Sequence, residues 1–191
     1  MIERKDIAKD KNLEELMELA DSLSRGYFRQ GLNCTECVVR TFMDIYETGL
    51  PDEVICMATG FGGGMGHTKN TCGAITGSVM ALGMSEGRRN PFGPKEEMAA
   101  RIKHLQGDIY PVFEKMIKEI EAEYGTLICR EMSQPFGEFD SKPRLKNCME
   151  IIAFCARNVI KNAEILQEVL KHLRTMRDTW KEVMQANIKA K

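Results

Sequence analysis

The chain has 191 residues, room for one domain and too little for two of ordinary size. Its 27 Lys and Arg stand against 28 Asp and Glu, a formal charge of −1. That balance speaks against nucleic acid or an anionic membrane surface as partner, since both call for a basic excess. At 43% hydrophobic and 29% charged residues, the composition is that of a folded globular chain and excludes disorder. The opening segment, Met1-Ile2-Glu3-Arg4-Lys5-Asp6-Ile7, lacks the apolar stretch of a signal peptide. No run approaches the ~18 consecutive apolar residues of a membrane span, so a reducing cytoplasm is the expected compartment.

In chain order the pattern is helical. Leu13, Leu16, Ala20, Leu23 and Tyr27 recur at spacings of three and four, the stripe of an amphipathic helix. A second helix is predicted from about Cys34 to Thr48, with Val38, Phe42 and Ile45 inward. Pro51 suits the first position of a short third helix ending before Gly60. From Val54 to Ser85 the only formal charge is Lys69, which predicts that this block forms the buried heart of the domain. It holds the Gly-rich stretch Phe61-Gly62-Gly63-Gly64-Met65-Gly66 and a small-residue helix from Cys72 to about Glu86, ended by Gly87.

A long helix from about Pro94 to Tyr124 follows, kinked at Gly107 and Pro111 and ended by Gly125. Thr126 opens a short turn through Met132, and Gln134–Lys146 reads as loop. Asn147 is placed to cap a final helix reaching about residue 189. Its stripe runs Ile152, Cys155, Val159, Ala163, Leu166, Leu170 and Leu173 and continues to Trp180 and Met184. This stripe either folds back on the bundle or forms a homodimer seam with a second copy. No alternating β-branched run argues for a sheet. The fold class expected is all-α, a single-domain helical bundle (1–191) of six or seven helices.

Seven cysteines in a chain of this kind read as metal ligands, redox groups or inert core residues, not as a disulfide scaffold. Cys34, Cys72 and Cys148 each follow a good N-cap residue (Asn33, Thr71, Asn147), and Cys129 lies three residues after Thr126. Free amides and the positive end of a helix dipole stabilise an anion. A thiol placed there is expected to have its pKa drawn from about 8.5 into a range of roughly 3.5–7.5. Thiolate is both the nucleophile of disulfide exchange and the ligand for zinc or iron–sulfur clusters. Cys56 and Cys155, in apolar runs without a cap, read as core. Cys34-x-x-Cys37 could supply two ligands, or a nucleophilic and a resolving thiol, from one helical turn.

The Gly-rich stretch continues His67-Thr68-Lys69. It lacks the ending of a P-loop and the spacing of a dinucleotide fold, so no nucleotide is expected. Glycine lets the backbone turn sharply and approach a neighbour closely. Gly62, Gly63, Gly64, Gly66 and His67 are therefore read as shaping the surroundings of Cys72.

Asn33-Cys34, the Gly62–Gly66 loop, Cys72-Gly73-Ala74-Ile75-Thr76-Gly77, Tyr124-Gly125, Cys129-Arg130-Glu131 and Cys148, in that order, resemble the redox-active family named for its C-GCAxxG-C-C cysteine pattern. The resemblance covers roughly Leu16 to Leu166. It implies a helical domain with a cysteine-lined redox or metal site, and no particular reaction. It also extends to a region of split-Soret cytochromes c. Thr71 stands where the family label has Gly, and Cys37 is additional to the four-cysteine set. No Cys-x-x-Cys-His is present, so covalent haem is not expected.

The leading expectation is that Cys34, Cys72, Cys129 and Cys148, with Cys37 as a candidate fifth ligand, meet at one site. There they bind an iron–sulfur cluster or another metal, or cycle between dithiol and disulfide with a redox partner that the sequence does not name. Two other readings are a zinc-holding structural module and an enzyme using Cys72 as nucleophile with His67 as base. Arg130 could steady a thiolate. His104 and His172 read as solvated.

Overall fold

In a computed structural model the chain is described over residues 2–93 and 97–189, so the predicted helix start at Pro94 lies outside the described residues. Among the described residues seven α-helices carry the fold, and the core lies among α1 (Leu13–Arg29), α2 (Cys34–Ile45), α3 (Gly73–Glu86) and the first half of α7 (Lys142–Lys189). Helix α1 (Leu13–Arg29) opens on a capping box in which Asn12 accepts from the Glu15 amide and Glu15 accepts in return from Asn12. Its inward face carries Leu16 and Ala20, both fully buried. Helix α2 (Cys34–Ile45) begins with the same device, Asn33 with Glu36, and buries Val38, Phe42 and Ile45.

It stops at Ile45 instead of Thr48 because the chain extends there. Strand β2 (Tyr46–Glu47) pairs antiparallel with β1 (Glu3–Arg4). Glu164 fastens the pair to α7, accepting from the Arg4 guanidinium and the buried Tyr46 hydroxyl. The predicted third helix is a 3-10 helix, Asp52–Phe61.

Helix α3 (Gly73–Glu86) is apolar around most of its circumference, as a helix surrounded by other elements must be. It packs on α2 and α7. A Cβ on Gly77 would stand 2.9 Å from the Thr35 carbonyl oxygen and 3.1 Å from Val38 Cβ. Glycine therefore sets how closely α2 and α3 approach. The Ser78 hydroxyl, buried at the same contact, donates to the carbonyls of Ala74 and Cys155, so its burial leaves nothing unpaired.

The predicted long helix is divided into α4 (Met98–His104), a π-helical turn (Leu105–Ile109) and α5 (Tyr110–Tyr124). The π turn absorbs Gly107 and the missing amide of Pro111. Gly125 ends α5 at φ +72°. Helix α6 (Cys129–Ser133) and a 3-10 turn (Gln134–Phe136) follow.

Two expectations are corrected. The Val54–Ser85 block is only half core: α3 is buried, but most of the 3-10 helix and Gly loop lies at the surface, with Cys56 exposed. The loop can do without charge there because it bonds its own backbone, His67 to Gly62, Lys69 to Gly63 and Asn70 to Gly64. The final helix, α7 (Lys142–Lys189), starts five residues before Asn147. Ser141 accepts from the Arg144 amide at its start, and Pro143 suits a first turn whose amides lack helical partners. Asn147 instead donates to the Met132 carbonyl, tying α7 to α6.

The α7 stripe packs inward through Leu166. From Glu168 onward every described side chain is exposed, Val169, Leu173, Met176 and Trp180 among them. Among the described residues no helix is long and apolar enough to cross a membrane.

The α2–α3 contact is tested by a pair of substitutions in one helix. Gly77→Ala is expected to destabilise by about 1–3 kcal/mol through overpacking against backbone. Gly83→Ala, where a Cβ meets nothing within 4 Å, should stabilise by up to ~1 kcal/mol. Urea unfolding of both variants reads the opposite signs.

Candidate functional site: four cysteines around one cavity

Cys34 is the first residue of α2. Asn33 caps that helix end, its Oδ1 accepting from the Thr35 and Glu36 amides. Its side-chain amide donates to the Thr59 carbonyl, and the Thr59 hydroxyl donates to Glu36. The end of the 3-10 helix is thereby held over the start of α2.

Cys72 is itself the N-cap of α3, one position later than expected. A short antiparallel bridge, Thr71 with Ile128, brings its strand beside the α6 entry: the Cys72 amide donates to Leu127, and the Cys129 amide to Asn70. Cys129 thus opens α6 next to Cys72. Cys148 arrives from the second turn of α7, away from the helix end predicted for it.

Cys34, Cys72, Cys129 and Cys148 line one cavity of about 150 Å³, with Phe28, Ile151 and Ile152 as apolar wall and Arg144 as the only charged lining side chain among the described residues. Backbone room makes this possible. A Cβ on Gly73 would overlap the Cys34 sulfur, and one on Gly64 would stand 2.8 Å from Cys129 Cβ. Gly63 lines the cavity, and Gly62 backs onto Asn33; a Cβ on Gly66 would meet only the Gly60 carbonyl, at 3.9 Å. The loop achieves its path by an unusual spiral: Gly63, Gly64, Met65, Gly66, His67 and Lys69 all have φ between 62° and 75°. For Met65, His67 and Lys69 that conformation costs about 1–2 kcal/mol each, a burden that surrounding contacts must offset.

The remaining cysteines stand apart. Cys37 is buried in the core with its thiol on the Leu32 carbonyl, outside the cavity lining. Cys155 is core, as expected, while Cys56 is exposed, because the 3-10 helix carrying it turns that position outward. All seven are free thiols. His67 is exposed and packs edge-on against Phe139, 4.1 Å between ring centres. Among the described residues no hydrogen bond joins it to Cys72, so the nucleophile–base pair finds no geometric support. Among the described residues, too, no three His, Cys, Asp or Glu side chains are gathered about one point where a metal ion could sit.

Electrostatics run opposite to the helix-end expectation. Burial pushes the Cys72 thiol well up, and it pushes Cys148 up to about 11 against the pull of Arg144. Burial raises Cys129 too, opposed by Arg144 and Lys69. Desolvation outweighs the dipole because the sulfurs sit in a mostly apolar cavity.

Arg144, within the segment read as loop, is the residue that sequence reasoning passed over. It is 3% exposed, its guanidinium lies 3.2 Å from the Phe139 ring centre, and it donates to the Phe139 carbonyl. An Arg between Pro143 and Leu145 carries no sign of burial; only Ser141 followed by Pro143 hinted that a helix starts there.

The chain matches a family model over residues 32–165, more than half its length; that family is described as "Putative redox-active protein (C_GCAxxG_C_C)". The chain belongs to this family. No curated protein and no solved structure matches it. In this member of the C_GCAxxG_C_C family, Cys34, Cys72 and Cys129 stand at helix starts and Cys148 within a helix.

The thiol shifts have a pH signature. A thiol held above its ordinary value of 9.0 favours the fold while both states are protonated, and that stability is lost as pH rises toward the folded value. Cys148 at about 11, with Cys37 and Cys155 at about 12, therefore predict falling stability above about pH 9. Urea midpoints of the reduced, metal-free protein should be lower near pH 10.5 than near pH 7; equal midpoints would contradict the burial of these thiols.

Proposed function

We propose that the protein is a redox carrier in which Cys34, Cys72, Cys129 and Cys148 hold an iron–sulfur cluster. The observation that carries this reading is that all four, spread over 115 positions of chain, line the same small cavity. Four thiolates are the ligand count of either common cluster type. A single zinc ion needs its sulfurs about 2.3 Å from one point, whereas these stand around a cavity wall, which suits a larger group. Held by Cys34, Cys72, Cys129 and Cys148, a cluster would supply one-electron transfer between an external donor and an external acceptor.

The chain's own contribution is definite. On ligation the four thiols would give up their protons to solvent, and the positive charge of the iron they would hold would offset the cost of burying them as anions. Phe28, Ile151 and Ile152 exclude water. Cys34, Cys72 and Cys129 stand at the starts of α2, α3 and α6, where electropositive backbone favours thiolate.

A second reading is favoured by Cys34, which is half-exposed. An external low-molecular-weight disulfide could reach it. Two thiols of the site would then yield two protons and two electrons, forming one protein disulfide while the external disulfide leaves as two thiols.

The deciding experiment is purification without oxygen. Iron and acid-labile sulfide are expected, with visible absorption that bleaches on adding dithionite. Replacing any one of the four cysteines by Ser should reduce or abolish the colour, and Cys56→Ser should leave it intact. A colourless, metal-free protein sinks the cluster; an unchanged thiol count after mild oxidation then sinks the disulfide as well. Redox-inert zinc, with helicity lost on chelation, would mark a structural module.

A further inference from the structure

Burying a guanidinium without an anion is among the costliest things a fold can do, and arginine cannot escape by shedding its proton. Arg144 is buried in this way. Among the described residues no carboxylate forms an ion pair with it, and its buried Nε atom has no hydrogen-bond partner. What it has are the Phe139 carbonyl and ring on one side and the four-cysteine cavity on the other. Cys129 and Cys148 are the acidic groups that feel its charge. Thr35, next to Cys34 in the chain, likewise keeps a buried hydroxyl without a partner.

We propose that Arg144 is the internal counter-cation of the cysteine centre, placed to balance negative charge carried by its sulfurs and so to raise the centre's reduction potential. This rests on the four-cysteine cluster proposed above. A reduced cluster carries one more negative charge than an oxidised one. A fixed cation nearby favours the reduced form.

The test is the midpoint potential of the full-length protein purified without oxygen, by dithionite titration. Arg144→Met is expected to cut the reduced-to-oxidised ratio at a given potential by about tenfold. That is a fall of about 59 mV for one electron. Arg144→Lys, which keeps the charge, should stay within about threefold of the parent. Should the Met variant not fold, by circular dichroism, Arg144→Gln serves as the neutral replacement. A folded neutral variant whose transition is unmoved overturns the inference while leaving the centre standing. A Lys variant shifted as far as the Met variant also overturns it, since geometry and not charge would then matter. If the parent shows no redox transition, the cluster and this inference fall together.

Discussion

The close approach of α2 and α3 organises the molecule. Only glycine fits at positions 73 and 77, where the α3 backbone meets Thr35, Val38 and the Cys34 sulfur. Once that contact is made, the start of α3 is fixed against the start of α2, and Cys72 is carried to Cys34. The Thr71–Ile128 bridge then adds Cys129. Helix α7, packed along α1, α2 and α3, closes the remaining side with Cys148 and Arg144. Four cysteines distant in sequence thus meet because of backbone fit, not through any affinity between sulfurs.

Two forces compete over the state of those sulfurs. Helix ends and the buried guanidinium favour thiolate; the apolar wall favours thiol. In the free chain the wall prevails, and Cys72, Cys129 and Cys148 all hold their protons above the ordinary thiol range. The same arrangement that makes them sluggish nucleophiles makes them sensitive to any group that displaces their protons, because the helix ends and Arg144 are already in position. The left-handed spiral of the Gly loop belongs with this picture, since three non-glycine residues hold a costly conformation beside the cavity.

Much of this was legible in the sequence. Periodicity placed α1 and α2, and Asn33 before Cys34 identified a helix start whose capping box the structure contains. The order of cysteines and glycines led to the family. What escaped detection lay in tertiary geometry. Asn147 resembles a cap, yet its side chain is used to tie α7 to α6, and a Ser–Pro start five residues earlier takes the helix end. An uncharged block resembles core, but a loop that satisfies its own amides can be uncharged at the surface. The helix-end argument for acidic thiols was physically sound and still gave the wrong sign, because a single sequence shows the dipole and hides the depth of burial. Arg144 had no local signature at all.

The 48-residue span of α7 has a further consequence. At 1.5 Å per residue such a rod is about 70 Å long, whereas a compact chain of this size has a radius of gyration near 16 Å. A lone copy would drag through solvent like a heavier particle. Elution volume would therefore overstate its mass, and only light scattering or sedimentation equilibrium would distinguish one copy from two.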